Sequence, residues 1–175
     1  MSIEFKIKKS RKIDGVQIIF PSISCDNRGD IWTSYTKSHI ESLLPKGLFF
    51  KHDKFSESKN NVLRGIHGDN KSWKLVTCVY GEVHQVVVDL RKSSPTFMQW
   101  EKFVINKKCQ ALILVPPGVG NAYYVSSNKA VYHYKYAYNG GYYDASMQFT
   151  FPWNDAELDI SWPTKTPILS SRDSL

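Results

Sequence analysis

Short apolar alternations, each closed by a turn signal, run along most of the chain and leave room for little except short strands. They cover Val16 to Phe20, Lys74 to Tyr80, Glu82 to Leu90, Phe103 to Ile105, Ala111 to Val115, Ala122 to Val125 and Ala130 to Tyr138. Tyr80-Gly81, Ser93-Ser94-Pro95, Pro116-Pro117-Gly118, Ser126-Ser127-Asn128 and Asn139-Gly140-Gly141 punctuate them. Aromatics make up 14% of the residues and β-branched residues are frequent, which fits pleated, half-buried surfaces. One helix is predicted from about Thr36 to Leu44, stopped by Pro45-Lys46-Gly47. With no internal repeat, linker or low-complexity segment, residues 1–175 read as one all-β domain, a sandwich, jelly roll or barrel with one or two short helices.

A chain of 175 residues, 42% hydrophobic and 22% charged, has the balance of a globular protein with a real core. No apolar run approaches the roughly 20 residues that span a bilayer, so no membrane partner is expected. Met1 to Lys6 lacks the apolar segment of a signal peptide, which points to a cytoplasmic protein. Cys25, Cys78 and Cys109 are odd in number, far apart and free of CxxC spacing, so they read as buried or semi-buried thiols. The net charge of +7 comes from scattered Lys and Arg with no run of five, which argues against nucleic acid and is compatible with an anionic small substrate.

Four segments carry candidate chemistry. Asn61-Val62-Leu63-Arg64-Gly65-Ile66-His67 is a strand pattern that delivers a histidine. Like-parity residues share a strand face, so Arg64 and His67 converge only if the chain turns at Gly65. Taken alone, His67 is a hydrogen-bonded structural histidine. Val115-Pro116-Pro117-Gly118-Val119-Gly120-Asn121 is a strand entering a tight turn. Tyr132-His133-Tyr134-Lys135-Tyr136 alternates as a core face does, with room for a phenol aimed into a cavity. In the tail, Asp173 matters only if it folds back onto His67.

The turn at Pro117-Gly118 resembles the second cupin motif, and His67-Gly68-Asp69 the first. Cupins place metal-binding histidines there; this chain offers His67 alone, with Asn121 at the later position, so the resemblance implies no metal. More specifically, the chain resembles the 3,5-epimerases of nucleotide-linked 4-keto-6-deoxy sugars, typified by dTDP-4-dehydrorhamnose 3,5-epimerase. The resemblance runs from about Phe20 to Asp173 through Asp26-Asn27-Arg28-Gly29, Arg64-Gly65-Ile66-His67, Lys74-Leu75-Val76, Gly81-Glu82-Val83, Val88 to Phe97, Tyr134-Lys135, Trp153-Asn154-Asp155 and Pro167 to Asp173. It implies a cupin-type jelly roll, a homodimer, no organic cofactor, and an isomerase acting on a nucleotide-linked 4-keto sugar. It also implies roles. His67 is the base and Asp173 its carboxylate partner; Lys74 is the cation at the enolate oxygen and Tyr134 the acid on the opposite face. Arg64 and Arg28 lie near sugar and diphosphate, Arg28 in a neighbouring subunit's site. Tyr142 lines the sugar pocket, beside an apparent insertion at Asn139-Gly140-Gly141.

The departures from that pattern are concentrated in the site. The family's second histidine is Asn121 and its aspartate after the Gly-Glu-Val start is Gln85, a neutral pair able to keep one hydrogen bond. The polar stretch on the nucleotide side reads His52-Asp53-Lys54, and a family glutamate is Thr33. Gly68 replaces an aromatic, which predicts room for a larger sugar. Arg28, Arg64, Asn121, Gln85, Tyr142, His52 and Lys54 are thus the substrate-binding candidates. A GDP-linked 4-keto heptose or 6-deoxyhexose of capsule or surface-polysaccharide biosynthesis is favoured over a dTDP sugar, with inversion at C3, C5 or both. A cupin ketoisomerase and a non-catalytic sugar-nucleotide binder are the alternatives.

Overall fold

The computed structural model describes residues 2–174. Two antiparallel sheets face one another. The larger contains β1 (Phe5–Lys9), β2 (Gln17–Pro21), β5 (Phe50–Lys59), β7 (Trp73–Tyr80), β10 (Leu112–Val115) and β12 (Lys129–Ala137), ordered β1-β2-β10-β7-β12-β5. The smaller contains β6 (Leu63–Gly68), β8 (Val83–Asp89), β9 (Trp100–Ile105), β11 (Val119–Val125) and β13 (Phe149–Thr150), ordered β13-β6-β11-β8-β9. A separate hairpin joins β3 (Ile23–Asp26) to β4 (Gly29–Trp32). This is the cupin-type jelly roll that the strand spacing and the resemblance anticipated. Among the described residues no helix is long and apolar enough to cross a membrane.

Strand parity divides the apolar residues among three clusters. Ile18, Val76, Val83, Val87, Ile113, Val119, Tyr123 and Tyr132 face inward and fill much of the space between the sheets. Their strand neighbours Ile19, Leu75, Leu112 and Leu114 face outward and pack under the helical turn at Ile40 and Leu44. Ile66, Val86, Val88 and Ala122 cover the outer face of the smaller sheet with Leu158 and Ile160.

The predicted helix is shorter and of mixed type. Thr36 caps α1 (Lys37–Ile40) by accepting from the His39 N–H, and a 3₁₀ turn follows over Glu41–Leu43 before Pro45. The strand alternations land within a few residues of β2, β7, β8, β9, β10, β11 and β12. Cys25 is exposed, not semi-buried, because it sits on the projecting β3–β4 hairpin. That hairpin, β1, β5 and β13 carry no clear apolar alternation. In β5 the inward-facing set is His52, Lys54, Ser56 and Ser58, and of these Lys54 and Ser56 line a cavity and not the core.

Candidate active site

The space the inward apolar residues leave free is a cavity of about 280 Å³ between the sheets, lined by side chains from both walls and from the C-terminal segment. His67, Arg64 and Asn121 come from β6 and β11 of the smaller sheet. Lys74, Tyr134, Tyr136, Lys54 and Ser56 come from β7, β12 and β5 of the larger.

Arg64 and His67 share the inner face because β6 carries one extra residue. Asn121 pairs with His67 and Tyr123 with Arg64, so a step of two on β11 matches a step of three on β6. This bulge passes through Gly65, whose φ of 119° suits glycine. A Cβ there would lie 2.6 Å from the Ala122 Cβ and the Asn121 carbonyl oxygen. The turn required by the sequence is therefore real, and only glycine fits it.

The C-terminal segment completes the site. It runs beside the start of β6, with Ile168 donating to the Asn61 carbonyl and Leu63 donating to that of Ile168. A turn in which Asp173 N–H donates to the Ser170 carbonyl then buries Asp173 beneath His67. The Asp173 Oδ1 lies 2.5 Å from His67 Nε2, and Ser170 Oγ donates to Oδ2 at 2.8 Å. Burial raises the Asp173 pKa, but the His67 and Ser170 hydrogen bonds outweigh it, and the carboxyl is held below its ordinary value. Asp173 thus stays ionised and fixes the ring. Among the hydrogen bonds of the described residues His67 Nδ1 has no partner, so it is the nitrogen free to take a proton. Arg172 ties the segment down by donating to Thr150 Oγ1 and to the carbonyls of Gln148 and Phe149.

On the opposite wall Tyr134 lies between Tyr132 and Tyr136, with ring centroids 4.9 and 5.9 Å away. Burial, reinforced by the Tyr123 and Tyr136 phenols, pushes its pKa well above the ordinary value, so it remains a proton donor at neutral pH. Lys74 is 4% exposed, and its ammonium lies 3.6 Å from Asp69 Oδ2. Arg64 Nε donates to Ser58 Oγ at 3.0 Å. Lys54 Nζ donates to the Tyr142 hydroxyl at 2.6 Å at the mouth.

The remaining candidates sort less evenly. Asn121 lines the cavity, but Gln85 is fully buried behind it and cannot touch a ligand from there. Gln85 Nε2 donates to Asn121 Oδ1 at 2.5 Å, the amide bond anticipated for this pair. His52 stands behind the lining, stacked on Tyr136 at 5.0 Å and packed edge-on against Tyr142 at 4.7 Å. Burial, then Lys54, lowers its pKa. Arg28 is remote from the cavity: it sits on the β3–β4 hairpin, 86% exposed, paired with Asp26 at 2.6 Å. Gly68 does not enlarge the pocket. Its face turns outward, and the Phe149 ring occupies the space, 2.3 Å from where a Cβ would stand.

Asp69, Arg172, Gln148, Ser56 and Ser170 were not singled out from sequence. Asp69 stands in the quoted motif, two residues past His67, and its burial shows only in the fold. Among the described residues no group of three or more His, Cys, Asp or Glu could hold a metal ion.

Residues 10–175 match the family model described as dTDP-4-dehydrorhamnose 3,5-epimerase. The protein of that name from Salmonella typhimurium is 37% identical over 166 residues, spanning 93% of this chain and 89% of the relative. A dTDP-4-dehydrorhamnose 3-epimerase from Streptomyces niveus is 34% identical, spanning 92% of this chain and 78% of the relative. The crystal structure of a 3,5-epimerase from Legionella pneumophila in complex with dTDP-4-keto-L-rhamnose superposes with a TM-score of 0.88 at 34% identity, covering 97% of this chain and 90% of that one. The chain belongs to the dTDP-4-dehydrorhamnose 3,5-epimerase family, and with it to the isomerases.

Proposed function

We propose that this chain inverts C3, C5 or both of a nucleotide-linked 4-keto sugar through an enolate. One observation carries the reading: the His67–Asp173 pair and Tyr134 stand on opposite walls of one cavity, with Lys74 between the sheets beside them. Inversion needs a proton removed from one face of a carbon and returned to the other. His67 takes the proton, and the C–H electron pair moves onto the ketone oxygen, where the Lys74 charge meets it. The pair then returns to carbon as a C–H bond forms with the Tyr134 proton. Exchange with solvent restores both groups.

In the finer assignment, a GDP-linked 4-keto heptose or 6-deoxyhexose for bacterial capsule or surface polysaccharide stands ahead of a dTDP sugar. Its support is the changed character of the wall, where Lys54 and Asn121, backed by His52 and Gln85, depart from the family pattern. The volume expected from Gly68 no longer counts toward it. The relatives named above include both 3,5- and 3-epimerases, so the inverted centre is part of the question. Arg28, projecting from its hairpin, is assigned to the diphosphate of a second copy's site in a homodimer.

Incubation in heavy water with GDP- and dTDP-linked 4-keto sugars, followed by NMR at C3 and C5, tests all of this. Deuterium uptake that disappears in His67→Asn is expected, faster with the GDP sugar. Migration of the carbonyl would show a ketoisomerase, and binding without uptake a binding protein.

A further inference from the structure

Lys74 has an unusual setting for a charged group. It is 4% exposed, and the cations Arg172 from the C-terminal segment and Lys54 from β5 both oppose its charge. Tyr136 of β12 offers only its ring, with the centroid 6.0 Å from Nζ. The His67–Asp173 pair belongs to the other wall and is closed on itself. Burial, the largest influence, pulls the Lys74 pKa down; Asp69 pulls it back up. Among the described residues Asp69 is the one carboxylate within 4.0 Å of the ammonium.

Asp69 is built into the chain so that one of its oxygens serves that purpose. Oδ1 accepts from the backbone N–H groups of Lys71 at 2.9 Å and Ser72 at 2.6 Å. The Asp69 carbonyl accepts from Gly118, tying this turn to the Pro117-Gly118 turn. Oδ2 is buried with no hydrogen-bond partner, 3.6 Å from Lys74 Nζ. An orphaned buried carboxylate oxygen is costly unless a charge faces it. At 3.6 Å the contact is longer than a hydrogen bond, so it supplies field without consuming a donor.

We propose that Asp69 is a positioning residue that keeps Lys74 an ammonium ion at the cavity wall while leaving its N–H groups to the substrate oxygen. The importance of that oxygen for catalysis rests on the reading above; the state of Lys74 does not. As neutral amine Lys74 would keep N–H groups to donate, but it would bring no charge to the developing oxyanion.

The test is an NMR titration of the Lys74 side chain in the substrate-free protein, paired with the pH dependence of solvent-deuterium exchange. Asp69→Asn keeps an oxygen for the Lys71 and Ser72 N–H groups and removes the charge. Asp69→Ser, whose hydroxyl can still cap the turn, stands in should the first variant misfold. Lys74 is expected to titrate at least one pH unit lower in either variant, and the alkaline limb of kcat to move down with it while KM changes less than twofold. With Lys74→Arg, whose charge does not titrate in this range, Asp69→Asn should leave that limb in place. A Lys74 titration unmoved in a folded Asp69 variant overturns the proposal, as does a limb that shifts equally in the Lys74→Arg background. Wild-type protein that exchanges no 4-keto sugar breaks the epimerase reading instead, and the titration decides the ion pair by itself.

Discussion

The two regions between the sheets are built by the same strands with opposite chemistry. On β7, Lys74 opens onto the cavity, whereas Val76 and Cys78 on the same inward face belong to the core. On β12, Tyr132 is core and stacks on Tyr123 at 4.1 Å, while Tyr134 and Tyr136 line the cavity. Two residues along a strand, about 7 Å, separate packing from chemistry. The apolar side holds the sheets apart at a fixed distance, and the polar side uses that distance to set His67 and Tyr134 on facing walls. Stability and activity should therefore respond to different substitutions, although the residues are near neighbours.

The sharpest way to break this division is His67→Asn. It should lower exchange at C3 or C5 by about a thousandfold, within the range for loss of a general base. The melting temperature should stay close to wild type, since His67 is partly exposed and its ring lies outside the apolar clusters. A thousandfold loss accompanied by unfolding would show that site and core are one cooperative unit. Ile113→Ala is the counterpart. Ile113 is fully buried on β10 and pairs across to Val76, and its truncation should cost about 2–5 kcal/mol in chemical denaturation. The kcat per folded molecule should be unchanged; a large fall would mean that the core tunes the wall.

These two regions were unequally legible in the sequence. Core strands announce themselves by apolar alternation, and β7, β8, β11 and β12 were found that way. Strand β5 was not, because the alternation that sets its inner face consists of His52, Lys54, Ser56 and Ser58. The site was legible only through resemblance. Nothing local joins Asp173 to His67 across 106 positions, and that contact depends on the tail lying beside β6. Gly68 misled because its identity was visible but its facing was not: the bulge at Gly65 sets which face each residue takes, and Phe149 closes the gap.

A pH experiment extends the comparison to an ion pair that has no part in the cavity. Asp89, at the end of β8, is fully buried, and it accepts from Arg91 Nε, Ser94 Oγ and Thr96 Oγ1. Burial raises its pKa, but these hydrogen bonds prevail and bring it from 3.8 to about 2. Because the folded value is the lower one, the stabilisation is complete above the unfolded pKa and disappears as pH falls from about 4 through about 2. Roughly 2 kcal/mol is at stake by linkage. Denaturation of Asp89→Asn should show that deficit at pH 7 and little at the acid end. Equal destabilisation at both ends would mean that the loop from Leu90 to Gln99 depends on the shape of Asp89 and not on its charge.

The smallest expected effect probes the boundary itself, where a core residue sets the direction of a cavity residue. Gln85 Nε2 faces the Val86 carbonyl at 3.4 Å, a group that can only accept, and donates to Asn121 Oδ1. The Tyr132 hydroxyl donates to Gln85 Oε1, so both ends of the Gln85 amide are engaged. Asn121, its carbonyl oxygen so occupied, stands at the cavity wall beside His67, its partner across the strands. Gln85→Glu replaces the donor facing Asn121 Oδ1 by an acceptor, so the Asn121 amide should rotate and change what it presents at the cavity wall. A loss of about tenfold in kcat/KM is expected, comparable to one misplaced hydrogen bond of about 1.4 kcal/mol. In an Asn121→Ala background the same substitution should cost almost nothing, because the group it reorients is gone. Additive losses would place Gln85 wholly with the core, and the boundary would then fall between Gln85 and Asn121 rather than behind them both.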